Sequence, residues 1–454
     1  MRKLANPAIQ LLNLALALAT NFGLPLLLGL SMYGDFVRDV APTFFIAKLL
    51  EAGFDLYVID TVTKREGGIL QIIPNTLLYK CLFGLPMVLL AGAFFPVEHV
   101  FATVCMAFGM YFSSLAMASA YALRSRAILL RILIAAVVGL VMVLVTLALL
   151  PKSVSVVLWL LVVFNIYHGT IALAFAYRHW FSPAKLEHAS FVTYSAFLAF
   201  SLPSNFIQTG IVTVASFFQG GRQLGVFRLG VSLIQAATTL FPVNPKRIYF
   251  ALADRSRTNS EKSHVLPAYL TIAYWMFGSA VVLPWAIEIL ESGPDWLAGY
   301  VKMLPGTPNF WLLVGVGFGL FITMTVVEKA FIAERGINYC SKVSVAVAVP
   351  MILVCIFALS LGVRNLVLVY DVCCASYIWL IFIIARNWPK SVWLPVSAFA
   401  LLYLAAIFTF LQFNEQAQPW TIMVAVICLA VAIGYSLLRG LTRDAINAVT
   451  EQVR

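Results

Sequence analysis

Residues 46 to 60 read Ile46-Ala-Lys48-Leu-Leu-Glu51-Ala-Gly53-Phe-Asp55-Leu-Tyr-Val-Ile-Asp60, a charged run set inside an otherwise apolar stretch. Lys48, Glu51 and Asp55 stand at i, i+3 and i+7. On a helix that spacing gives one charged stripe, with leucines and aromatics on the remaining surface. A charge at mid-bilayer costs roughly 2.5–3.5 kcal/mol on insertion scales, so such a stripe faces protein or water rather than lipid. The plainer alternative is a self-neutralising Lys48 and Glu51 pair with an acid near the helix end. A further ion, Lys80, lies deep in the next hydrophobic segment and favours a polar interior over a lone pair.

The whole chain supports that setting. Of its 454 residues 62% are hydrophobic and only 11% charged, a balance that excludes an ordinary soluble domain. The formal net charge of +11 is spread in short basic clusters between apolar runs, as in cytoplasmic loops, and not gathered into a nucleic-acid-binding patch. Seven cysteines fall almost entirely inside apolar runs without metal-ligand spacing and read as small core residues. No Gly-x-x-x-x-Gly-Lys-Ser/Thr loop and no His-Glu-x-x-His pair occurs. The expectation is a protein that is not an enzyme and has no cofactor and no metal, with passive, exchange or ion-coupled movement as its work. Met1-Arg-Lys followed by an apolar run has some character of a signal peptide, but hydrophobicity continues past Ala19 to Met32, so an uncleaved first span is expected.

At about 20 apolar residues per crossing, the chain divides into about fourteen spans, beginning near 9–33 and 38–62, passing through 191–218 and 224–250, and closing at 392–411 and 419–438. Twenty-two Lys and Arg residues lie at one set of span ends and five, Arg38, Lys152, Arg222, Lys302 and Arg364, at the other. This bias places both termini in the cytoplasm. The fold class expected is an all-α polytopic membrane protein, N-in and C-in. Its loops are too short to hold a domain, so function must reside in the helices and the cavity they line. Two stretches look alike. Phe22-Gly23-Leu24-Pro25 leads to Gly34-Asp-Phe-Val-Arg38, and Thr209-Gly210-Ile211-Val212 leads to Gly221 and then Gly225-Val-Phe-Arg228. In both, a long helix with a mid-depth glycine turns through a glycine-containing loop into a helix opening with an arginine. The repeat suggests two six-helix lobes, 1–180 and 185–390, two added helices in 391–438, and a cytoplasmic tail at 439–454.

Gly34-Asp-Phe with Leu50-Glu-Ala-Gly53-Phe-Asp55, and Gly225-Val-Phe-Arg-Leu-Gly230 through Leu240-Phe-Pro-Val-Asn-Pro245, resemble the first-to-second and seventh-to-eighth helix regions of the multidrug, oligosaccharidyl-lipid and polysaccharide flippase superfamily. Within it the pattern is similar to the polysaccharide, O-antigen-flippase-like branch. Asn244-Pro-Lys-Arg247 is more basic than that branch's pattern. The resemblance implies a V-shaped two-lobe transporter that moves a polyprenyl-diphosphate-linked glycan across the bacterial inner membrane by alternating access. A polysaccharide polymerase and glycosyltransferases would be its partners.

Several residues are candidates for such work. Lys48, Lys80 and Arg228 can supply cations to a diphosphate, although Lys80 can equally neutralise Glu51 or Asp55, and Arg228 can snorkel. Asn205, Gln208 and Gln235 can hydrogen-bond sugar hydroxyls, or bind helices to one another. Glu51, Asp55, Asp60 and Asp371 are candidates for gating or ion coupling. Asp371 has no charged neighbour in its own span and must find a partner elsewhere or carry a proton. His168 reads as a satisfied core histidine and Glu328-Lys329 as an interfacial pair. The runner-up function is a cation-coupled multidrug exporter. A third reading, a membrane glycan polymerase or ligase, is disfavoured by the longest outer loop, which offers only Glu291, Asp295 and Lys302.

Overall fold

A computed structural model describes residues 19–51, 97–122, 125–176, 188–240, 308–360 and 366–384, with isolated positions elsewhere. Among the described residues the regular structure is helical throughout. A π-helical turn, Ala19–Gly23, leads into α1 (Leu24–Leu28). There follow α2 (Leu30–Glu51), α3 (Val97–Ala122), α4 (Arg126–Leu149), α5 (Val154–Ala176) and α6 (His188–Asn205). A second π-helical turn, Phe206–Gly210, joins α6 to α7 (Ile211–Phe218). The remaining described helices are α8 (Gly221–Leu240), α9 (Pro308–Arg335), α10 (Ile337–Ser360) and α11 (Leu366–Ile384).

Six stretches among the described residues are long and apolar enough to cross a membrane: Val100–Met117, Arg126–Leu149, Val154–Phe175, Val192–Phe218, Phe310–Ala333 and Ile337–Ser360. The chain is thus an all-α, multi-pass membrane protein. Contacts divide it into two compact units, Met1–Leu229 with Gly336–Val363, and Gly230–Arg335 with Arg364–Arg454.

In the first unit, small residues bring helix backbones together. A side chain on Gly109 of α3 would overlap the backbone of Asn165 in α5, and one on Gly169 of α5 would overlap Gly109 in turn. Without water to drive association, close van der Waals packing of this kind is what holds membrane helices together. His168, one residue before Gly169, is half-buried, stacks on Phe164 at 5.9 Å and lies against the Ile132 backbone of α4. In the second unit α9 packs along α11, and 94% of the Phe310–Ala333 stretch is buried, against 33% of Val154–Phe175 in the first unit. A helix with nearly every residue buried is a core element, whereas one with a third of its residues buried leaves the others less enclosed by the protein.

Two details differ from the sequence reading. The turn expected near Gly34 to Arg38 sits at Gly29, which has φ 79°, and Gly34 lies inside α2. Gly29 takes the left-handed conformation that glycine adopts at little cost. Gly34 is needed for a close approach described below. The charged stripe also does not run along one unbroken helix: α2 ends at Glu51, and Gly53 follows with φ 74°. A side chain there would overlap the backbone carbonyl of Phe197 in α6. Tyr57 beyond it packs edge-on against Tyr194 and Phe197, at 5.7 and 5.8 Å.

Candidate functional site

The two stretches that look alike in sequence meet in space at their helix starts. A Cβ on Gly34 of α2 would overlap the carbonyl of Gly221, and a Cβ on Gly225 of α8 would overlap the carbonyl of Leu30. Each helix therefore opens with a left-handed glycine, Gly29 before α2 and Gly221 (φ 52°) at the head of α8, and a packing glycine follows four or five residues later. Around this crossing, Arg38 pairs with Asp35 at 3.8 Å and Asp39 at 3.4 Å, and its guanidinium lies beside Gly220. All three side chains are well exposed, so these pairs add little stability. The glycines carry the contact.

Further along α2, Lys48 is half-buried with its ammonium 6.0 Å from the ring centroid of Phe44, one turn back. A cation over an aromatic face is attracted by the ring quadrupole. Phe45 meets Phe206 edge-on at 6.5 Å, which seats α2 against the second π-helical turn. That turn and its flanks carry a polar ladder. The Asn205 amide donates to the carbonyl of Ser201 at 2.8 Å, the Thr209 hydroxyl to Asn205 at 3.0 Å, and the Thr213 hydroxyl to Thr209 at 3.1 Å. Thr213 also reaches the carbonyl of Ala41 in α2 at 3.1 Å. The ladder follows from a four-residue spacing of polar side chains, each lying over the carbonyl of the preceding turn. A π turn inserts one extra residue and is enriched at functional positions. Here it carries Gln208, half-buried, between Asn205 and Gly210.

Helix α2, which carries Lys48, thus packs against the segment that carries Asn205 and Gln208. Arg228 is half-buried on α8. Glu51 ends α2, while Asp55, Asp60 and Lys80 lie outside the described residues. Sequence reasoning missed Thr209 and Thr213, although their spacing from Asn205 was the available signal.

The second unit holds a different arrangement. Asp371 on α11 is completely buried, beside Tyr370 and Cys374 of its own helix. Gln235 of α8 lies at the Tyr370 hydroxyl. Gly317 of α9 makes the room, since a Cβ there would press on Ile234 and on Oδ1 of Asp371. Neither Tyr370 nor Cys374 was a site candidate from sequence, because both are ordinary residues of an apolar span. Nearer the end of α9, the Lys329 ammonium donates to Glu328 at 3.2 Å, and Glu328 is buried against the protein.

Searches with family models and among curated proteins return no match. Among solved structures, the lipid II flippase MurJ in an inward closed conformation matches 98% of this chain and 99% of its own, with a TM-score of 0.57 at 13% identity. The eukaryotic MATE transporter AtDTX14 matches 86% of this chain and 94% of its own, with a TM-score of 0.49 at 11% identity. The MurJ match, over nearly the whole of both chains, shows that this chain has that protein's fold.

Proposed function

We propose that this protein is a bacterial inner-membrane flippase that carries a polyprenyl-diphosphate-linked oligosaccharide from the cytoplasmic to the outer leaflet by alternating access, during surface polysaccharide biosynthesis. The observation that carries this reading is the near full-length match to a lipid II flippase, joined to a half-buried, cation-bearing helix packed on an amide-bearing π turn. In this reading the lobes are residues 1–180 and 185–390. Lys48, Lys80 and Arg228 face the diphosphate, while Asn205, Gln208 and Gln235 face the sugars. The glycine crossing between α2 and α8 closes the outer end, the side on which Arg38 and Arg222 fall by charge count. A membrane potential negative inside favours outward passage of anions by about 2.3 kcal/mol per charge per 100 mV, so a diphosphate gains about 4–5 kcal/mol. No nucleotide hydrolysis is then required.

The second reading, a cation-coupled multidrug exporter, is favoured by Asp371, an acid sealed among polar side chains in the second unit. The deciding experiment is transport of a lipid-linked oligosaccharide into proteoliposomes with electrical potential and ion gradients imposed separately. Flipping that follows the potential supports the proposal. A rate that ignores potential and collapses without a proton or sodium gradient, with drug efflux under the same conditions, replaces it with the exporter.

A further inference from the structure

Helix α4 presents Arg131, Ile134, Val138, Val141, Met142, Val145 and Leu149 to the outside at intervals of three and four residues. That spacing is one face of a helix. On a membrane span an exposed apolar stripe of this kind faces lipid, and Arg131 occupies the same stripe. It stands five residues in from Arg126, about 7.5 Å along the axis at 1.5 Å per residue. By the charge count, that end of α4 is the cytoplasmic one.

A guanidinium on a lipid-facing stripe is stable only at the level of the head groups. Arg131 is held there by the neighbouring helix, with its guanidinium carbon 6.0 Å from the ring centroid of Phe175 at the end of α5. Among the described residues it makes no salt bridge. Stacking on a ring leaves the guanidinium edge and its fork of N–H donors directed away from the ring, in the geometry that suits a phosphate. Arg126 is exposed at the same end, where α4 starts at Ser125 without a side-chain cap.

We propose that Arg131, backed by Phe175 and assisted by Arg126, binds the head-group phosphate of an acidic phospholipid of the cytoplasmic leaflet, whose acyl chains lie along the Ile134 and Val138 stripe. This site is on the outer wall of the helix bundle. It is separate from the cargo contacts assigned above and does not depend on them.

The test is native mass spectrometry of the full-length detergent-solubilised protein titrated with phosphatidylglycerol or phosphatidylcholine. Arg131→Gln should weaken the first phosphatidylglycerol binding step about fivefold, the scale of one basic residue at an anionic surface, and leave phosphatidylcholine unchanged. Arg131→Lys should keep part of the affinity, and Phe175→Leu should lose part of it. Arg222→Gln, at the other end of the spans, serves as the control. Equal losses for the two lipids, a loss as large in Arg222→Gln, or no loss in Arg131→Gln would each overturn the assignment.

Discussion

Helices α2 and α11 both place charge within apolar sequence, and they do so in opposite ways. Helix α2 carries Asp35, Arg38, Asp39, Lys48 and Glu51, and of those with described side chains none is buried. Helix α11 carries one carboxyl group, Asp371, with no exposed surface at all. Their glycine contacts differ in the same sense. Gly34 of α2 meets backbone, which cannot yield, whereas the contact Gly317 offers α11 and α8 is with side chains, which can. Accessible charge on a rigid frame suits a group that meets cargo. A sealed ionisable group in a yielding pocket suits one that responds when the surroundings move.

The sharpest break of this comparison is Gly34→Ala. The new methyl must displace the Gly221 carbonyl, an overpacking cost of about 1–3 kcal/mol or more. Thermal unfolding should fall and glycan flipping should be lost, and a variant with normal melting and transport would show that the crossing is not tight. Next in size is Lys48→Gln, expected to reduce lipid-linked oligosaccharide transport by about tenfold, the loss of about 1.4 kcal/mol, at normal expression. Arg at this position should restore part of it. If Lys48→Gln with Glu51→Gln together recover full transport, the lysine serves only to neutralise its neighbour.

Asp371→Asn should have a smaller effect on flipping, because in the proposed function the cargo's own charge sets the direction. Appreciable transport that still follows the electrical potential is the expected result, and complete arrest would move Asp371 from a sensing to a coupling role. The smallest effect belongs to Gly317→Ala. Ile234 and Asp371 are side chains and can shift where a backbone carbonyl cannot, so a stability loss of about 1 kcal/mol, the low end of overpacking costs, is expected in a chemical-denaturation series. A cost equal to that of Gly34→Ala would erase the distinction between the two contacts.

Much of this was legible in the sequence, for reasons that particular residues make plain. Apolar run length marks membrane spans because a helix satisfies its own backbone in lipid. The likeness of Gly34-Asp-Phe-Val-Arg38 to Gly225-Val-Phe-Arg228 pointed to two related helix starts, which the structure brings into contact. What the sequence could not assign was the job of each glycine. Gly29 and Gly34 are chemically identical, and only the neighbouring chain shows that one turns and the other packs. Helical periodicity likewise extended the charged stripe to Asp55, because nothing local reveals that Gly53 lies against Phe197. The π turns were illegible for a related reason, since one inserted residue leaves no mark in hydropathy. Run length also could not say that Asp371 is enclosed while Arg131 faces outward, because which side of a helix meets lipid is decided by its neighbours.

The crossing of α2 and α8 joins main chain to main chain, with no side chain of either glycine to arrange. Ordering a long side chain costs up to about 1.5–2 kcal/mol of rotamer freedom, and a glycine contact incurs none of that. Such a junction can part and re-form repeatedly with little entropic barrier. The polar side chains beside it, Arg38 and Asp35, are already well exposed, so in the proposed transport cycle its opening would need little further hydration.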